Sequence, residues 1–158
     1  MKPKHIYLAL CGMVGFVAAT AWSAGAYLDF TINLTRSLPQ TLFIIHKGAR
    51  VVKGDLVAYR WQGGATYPIG VVFIKQVTGM PGDVVKRTGN AFWVGDQYVG
   101  TAKPVSKAGI ALKPANPGLI PSGSYFVSTS NPDSLDSRYA ISGNVSESAI
   151  IGKAYAIF

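Results

Sequence analysis

Three separated stretches of this chain hold the side-chain types that acyl transfer needs. Ser37 stands in "NLTRSLPQT", Lys75 in "VVFIKQVTGMPGDVV", and Ser134, Asp136 and Arg138 in "STSNPDSLDSRYA". A serine nucleophile needs a base to take its proton. The chain has only two histidines, His5 and His46, for the usual form of that role, so the base has to be sought elsewhere.

Pro39 favours an extended backbone at Leu38, which leaves Ser37 on a non-helical segment where its hydroxyl can be reached. A serine near a proline is more often an ordinary turn residue. On a strand, Val71, Phe73, Lys75 and Val77 share one face, and Val72, Ile74 and Gln76 the other. A lysine there either snorkels to water on an edge strand or lies buried among apolar neighbours. Burial would change its chemistry. A solvated lysine with pKa near 10.4 is only ~0.1% neutral around pH 7.4, and a protonated amine cannot accept the serine proton. Lowering the pKa by about three units corresponds to roughly 4 kcal/mol, within the reach of desolvation. The third stretch, with Asp133, Ser134, Asp136, Ser137 and Arg138, is either a solvated loop or a set of groups that satisfy one another. In the second reading Ser134 hydrogen-bonds the neutral amine, and Asp136 pairs with Arg138 to hold the loop. Spacing alone does not bring the three stretches together.

The elements that must position them are mainly strands. Short runs rich in Val, Ile, Phe and Tyr, punctuated by Gly, Pro and Asn, predict strands at Thr41 to Ile45, Leu56 to Arg60, Val71 to Thr78, Val84 to Thr88, Ala91 to Val94, Gln97 to Val99, Tyr125 to Ser128 and Ile150 to Phe158. "GNAFWVGDQYVG" reads as a hairpin turning at Gly95 and Asp96. Gly79, Pro81 and Gly82 predict a sharp turn into Asp83. "WQGGATYPIG" and the proline-containing tract from Lys103 to Gly123 read as loops.

Ahead of the strands runs an uncharged stretch from Ile6 to Leu28. At about 23 residues it can cross a hydrocarbon core of roughly 30 Å as a helix. Lys2 and Lys4 precede it and Asp29 follows, which puts the N-terminus in the cytoplasm and everything beyond Asp29 across the membrane. A cleavable signal peptide is the alternative, with Ala24, Gly25 and Ala26 as a cleavage-like site; the run exceeds the roughly 7 to 15 residues of a signal-peptide core, which favours retention. The expected organisation is therefore an anchor over residues 1–28 and one mainly β domain over 29–158.

The 158 residues are 49% hydrophobic and 14% charged, too apolar for a disordered tail. Cys11 is the one cysteine, so no intrachain disulfide can form; inside the span it reads as a buried apolar thiol. The formal net charge of +8 owes only two units to Lys2 and Lys4, so the outer domain is itself basic, which suits an anionic membrane surface. The cations are scattered, with no basic helix or aromatic-rich signature, and no nucleic-acid partner is expected.

"TRSLPQT", "VVKGDLV", "FIKQVTGMPGDVV" and "SNPDSLDSRYA" occur in the order, and with the approximate wording, of the motif boxes of type I signal peptidases. The S-L-P form and the compact length most resemble the TraF-type conjugative-transfer peptidases. General signal peptidases usually carry one more residue between nucleophile and proline. After "DSRY" the run "AISGNV" is also longer than the family's link to its glycine and valine.

This resemblance implies a signal-peptidase-like twisted antiparallel β catalytic domain after one N-terminal transmembrane helix. It makes Ser37 the nucleophile and Lys75 the general base. The backbone N–H of Ser37 and the hydroxyl of Thr35 would form the oxyanion hole, Ser134 would orient the lysine, and Asp136 and Arg138 would be the supporting ion pair. His46 keeps no catalytic task. The implied activity is a serine endopeptidase of the inner membrane, facing the periplasm. It would process a membrane-inserted precursor, a conjugative pilin, by cleavage or by cyclisation, with no metal or organic cofactor. A general signal peptidase and a non-catalytic β scaffold of a conjugation or secretion apparatus are the competing readings. Ser37 follows Leu28 by about nine residues, at most roughly 30 Å if extended, which would keep the nucleophile near the bilayer.

Overall fold

The computed structural model describes residues 3–33, 37–64 and 66–157. It opens with helix α1 (Pro3–Tyr27), followed by β1 (Leu28–Ile32), β2 (Leu42–Lys47), β3 (Leu56–Arg60), β4 (Val72–Gly79), β5 (Val84–Thr88), β6 (Ala91–Val94), β7 (Gln97–Thr101), β8 (Gly118–Leu119), β9 (Ser124–Ser128), β10 (Val145–Ser146) and β11 (Ile150–Ala156). The protein is mainly β, and every strand pairing is antiparallel.

The 25 residues of α1 span about 37 Å at the helical rise. Its described side chains, Phe16 and Trp22 among them, are exposed. A helix that is apolar on every side and uncovered by protein has the composition of a membrane span. It is long and apolar enough to cross a bilayer, and its place near the N-terminus also fits a signal sequence. Cys11 is exposed on this helix, so the fold of this chain does not bury it, where the sequence predicts a buried thiol. Lys47 joins the helix to the sheet: its Nζ donates to the carbonyl of Gly25 at 3.0 Å and lies 3.7 Å from Asp29. A cation on the last carbonyls of a helix is favoured by the helix dipole.

Leu28 leaves the helix and starts β1, where the sequence predicts the end of the span and an extended link to Ser37. The link is instead a strand paired with β2, from Leu28 opposite His46 to Ile32 opposite Leu42. Its signal was hidden because the same apolar residues suit both states.

Seven strands form one sheet in the order β1-β2-β11-β3-β4-β9-β10, and four form a second in the order β7-β6-β5-β8. The main core fills the space between them, with Val57, Phe73, Val77, Phe92, Val94, Phe126 and Val127 among its members. A smaller core of Phe43, Ile45, Ala58, Ile74 and Ala154 lies on the other face of the large sheet, with Leu38 packed against it. β4 is thus covered on both faces. Phe73, Lys75 and Val77 point to the main core side and Ile74 to the smaller one, while Gln76 reaches out to donate to Gly54 O at 3.1 Å.

Two turns lock the C-terminal end of β4. Before β3, Gly54 N donates to Val77 O and Val77 N to Asp55 O, both at 2.8 Å, and Lys153 of β11 binds Asp55 at 2.7 Å. After β4, Asp83 N donates to Met80 O at 3.0 Å around Pro81 and Gly82, whose φ of +89° meets the left-handed requirement of the third position of a type II turn. Asp83 accepts from Met80 N at 3.0 Å and from Lys53 Nζ at 3.2 Å, and the first of these bonds leads in drawing its carboxyl below the ordinary value. The tract after β7 is not all loop: Val105 bridges Ala111, Pro114 bridges Tyr139, and β8 pairs with β5.

Candidate active site

Ser37 lies in the loop between β1 and β2. Asn33 shapes that loop: its backbone N–H donates to Thr41 O at 2.7 Å, and its Nδ2 donates to Leu38 O and Gln40 O, each at 3.2 Å. Leu38 is anchored in the smaller core. Ser37 is thereby held 6% exposed. Nothing in the motif reading singled out Asn33; an asparagine ending a strand and facing a proline loop was the available signal. Thr35, the expected second oxyanion donor, lies outside the described residues.

Lys75 projects from the middle of β4, opposite Val57 of β3. It is 2% exposed, and Nζ stands over the Phe73 ring, 5.2 Å from its centroid. Phe73 itself stacks on Trp61 at 4.9 Å and meets Tyr67 and Tyr59 edge-on. This apolar, aromatic setting removes water from the amine, and desolvation lowers the lysine pKa to about 8; Asp136 opposes the shift and Arg138 adds to it.

Ser37, Lys75 and Ser134 line one open cleft, together with Tyr67, Phe73 and Tyr139. Ser134 Oγ is buried and makes no hydrogen bond among the described residues, so the bond to Lys75 that the resemblance implies is not formed. The physical reason lies with both partners. The amine is drawn over Phe73, and the backbone of Ser134 is set by Arg138, whose Nη2 donates to Ser134 O at 3.5 Å.

Asp136 and Arg138 meet through a two-pronged pair: Nε donates to Oδ1 and Nη2 to Oδ2, both at 2.8 Å, with neither side chain reaching water. Asp136 also accepts from the N–H groups of Thr129 and Arg138. Burial works against the guanidinium charge, but the Asp136 bonds and charge prevail and the Arg138 pKa is raised. The pair ties the two sheets together. Arg138 O accepts from Ala115 N at 2.8 Å, Ala115 O from Arg87 Nη1 at 2.9 Å, and a Cβ on Gly100 of β7 would stand 2.3 Å from Arg138 Nη1. The longer run after Tyr139 closes on itself, with Ser142 N and Gly143 N both donating to Tyr139 O. His46 is exposed on β2, away from the cleft. Among the described residues no group of His, Cys, Asp and Glu could hold a metal ion.

The protein is thus a strand-built domain behind an apolar N-terminal helix, with a serine and a lysine on one cleft and a buried ion pair holding the loop that carries Ser134. The chain belongs to the family described as "Signal peptidase, peptidase S26", whose pattern matches residues 4–158; it is a protease of the signal-peptidase type, a serine-protease class. Among its relatives, it is 27% identical over 179 residues to the conjugal transfer protein TraF of Agrobacterium fabrum, covering 98% of this chain and 97% of that protein. It is 33% identical over 96 residues to signal peptidase I U of Bacillus subtilis, covering 56% of this chain and 51% of that protein. A crystal structure of a signal peptidase I from Enterococcus faecalis aligns with TM-score 0.43 at 20% identity, covering 66% of this chain and 97% of that one.

Proposed function

We propose that this protein is a membrane-anchored serine endopeptidase in which Ser37 is the nucleophile and Lys75 the general base. The observation that carries this reading is that a buried serine and a desolvated lysine line one cleft. With its pKa at about 8, Lys75 is about one-fifth neutral at pH 7.4, against ~0.1% for a solvated lysine. Neutral Lys75 takes the Ser37 proton as the hydroxyl attacks a peptide carbonyl, then returns a proton to the leaving amine. The Ser37 N–H and the Thr35 hydroxyl stabilise the oxyanion. Ser134 hydrogen-bonds Lys75 once the amine leaves the Phe73 ring for the reacting centre. Asp136 and Arg138 hold the loop that carries Ser134.

In this reading α1 is a retained single-pass anchor of the inner membrane and the β domain faces the periplasm. The outer face of the sheet beside the anchor supports a site close to lipid. The register aligns Phe30, Ile44 and Tyr155, and next to them Ile32 and Leu42, with Ile157 bonded to Leu42 O. Phe30, Ile32, Tyr155 and Ile157 are exposed. The substrate is then a membrane-inserted precursor. Likeness to a conjugal transfer protein along nearly all of the chain supports a conjugative pilin precursor. Its acyl-enzyme is resolved by water or by the substrate's own N-terminal amine.

Coexpression with a candidate pilin precursor and intact-mass measurement of the product tests this. A fragment that disappears in Ser37→Ala and Lys75→Ala supports the dyad, and a mass lower by one water marks a ring. Processing that survives both substitutions refutes it. Many precursors accumulating in a deletion strain, instead of one, would point to a general signal peptidase.

A further inference from the structure

The cleft owes much of its lining to a segment with no place in the proposed chemistry. Val105, Ile110 and Leu112, from the tract after β7, face the same cleft as Ser37 and Lys75. The tract folds back as a small hairpin. Val105 bridges Ala111, Ser106 N donates to Ile110 O and Leu112 N to Pro104 O, both at 2.8 Å, and Ser106 Oγ accepts from Ile110 N at 3.1 Å. A two-stranded hairpin this short is marginal in water without outside support. Its foot is fixed to the body of the domain, with Lys103 N donating to Tyr139 Oη at 3.0 Å and Leu112 packing against the main core, and a carboxylate adds the charged part of its support. Lys103 and Lys107 both bind Asp133, one on each oxygen, the second at 3.0 Å. The hydrogen bonds from Lys103 and then Lys107 hold the Asp133 carboxyl below the ordinary range. Asp133 directly precedes Ser134, so the hairpin is lashed to the loop that reaches the cleft from the other side.

Two features point to a moving part. Val105 and Ile110 remain 46% and 36% exposed although they border a cleft, so they offer apolar surface that an incoming chain would cover. All three charged side chains of the latch are partly solvated, and ion pairs of that kind are weak and screened by salt. Such a latch holds a wall in place and still lets it open.

We infer that the hairpin Pro104–Leu112 is a movable specificity wall: it closes over an extended substrate peptide, selects apolar side chains through Val105 and Ile110, and is latched by Asp133 through Lys103 and Lys107. This rests on the reading of Ser37 and Lys75 as the peptidase centre. Asp133 is a positioning residue, since it acts on substrate through the hairpin.

The test uses the full chain in detergent micelles and two internally quenched peptides, differing by Val against Ser at one position before the cleaved bond. Val105→Thr with Ile110→Thr should lower kcat/KM for the Val peptide about tenfold, through KM, and bring the two peptides level; these positions are half-exposed and tolerate the added hydroxyls. Asp133→Asn should raise KM about three- to tenfold with kcat little changed, and remove the salt dependence of KM. Asp133→Lys combined with Lys103→Asp and Lys107→Asp should restore it. Hydrogen exchange at the Ile110 and Leu112 amides should quicken in Asp133→Asn, a readout independent of turnover. An unchanged Val-over-Ser preference in the double variant, or unaltered exchange in Asp133→Asn, overturns the wall. Cleavage that persists in Ser37→Ala while the hairpin variants alter selectivity overturns the Ser37 assignment alone. A wild-type chain that cleaves neither peptide overturns the peptidase reading together with this inference.

Discussion

Asp136 grips Arg138 through two parallel hydrogen bonds of 2.8 Å at a point where neither side chain reaches water. Removing one member of such a pair leaves the other charge buried and alone, which costs about 3–5 kcal/mol. Arg138→Met and Asp136→Leu should each lower unfolding free energy by that amount in denaturant titration, and the double variant by clearly less than their sum. Gly100→Ala should also destabilise, since its φ of +116° and the 2.3 Å approach to Arg138 Nη1 leave no room for a methyl group.

Lys75 sets the expected pH behaviour. The reactive form is the neutral amine, so kcat/KM should rise with pH through a pKa of about 8 and level off above it. A profile flat from pH 6 to 9.5 would remove Lys75 from the role of base.

The same group shapes stability with a definite sign. Its pKa falls from 10.5 in the unfolded chain to about 8 in the folded one. Below pH 8 both states bind the proton and the cost of burying the cation is fully present. Between about 8 and 10.5 the unfolded chain binds more protons, so stability rises with pH, by about 3 kcal/mol in all. Lys75→Met should therefore be inactive yet more stable at pH 7, and should lose that rise; urea midpoints at pH 7 and 10 check both.

Asn33 braces the loop of Ser37 by bonds to two of its carbonyls. Asn33→Ala should cost about 1–2 kcal/mol of stability and lower kcat about tenfold, because a loosened loop places the nucleophile less well. An unchanged kcat would show that the Asn33 side chain does not position the nucleophile.

The exposed row of Phe30, Ile32 and Tyr155 beside the anchor should matter only at a bilayer. Phe30→Ser with Tyr155→Ser should slow processing of a precursor in vesicles several-fold and leave cleavage of a soluble peptide in micelles unchanged. Equal losses in both assays would make the row structural.

Strands were legible wherever alternation and turn chemistry agreed. Leu56–Arg60, Val84–Thr88 and Ala91–Val94 form where residue pattern and flanking glycines place them: the last two alternate because one face lies on a core, and the first is a short apolar run buried on both faces. The Gly95–Asp96 turn follows for the same local reason, with Val94 opposite Gln97. β1 was not legible, since its apolar residues continue those of α1, and only pairing with β2 separates strand from span. β8 and β10, two residues each, carry too little pattern to read and exist because β5 and β9 offer them an edge.

The sequence by itself determined the anchor-like helix, the strand-rich domain and the residue types around Ser37, Lys75 and Arg138, because periodicity, turn residues and motif wording are local properties of the chain. Only the tertiary structure decided that residues 37, 75 and 134 border one cleft, that Lys75 points into an aromatic core instead of water, and that Asn33 and Asp133 brace the segments around them. Those outcomes depend on which strands become neighbours and what covers each face, and the meeting of Ser37, Lys75 and Ser134, 38 and 59 positions apart along the chain, has no signature in any local window.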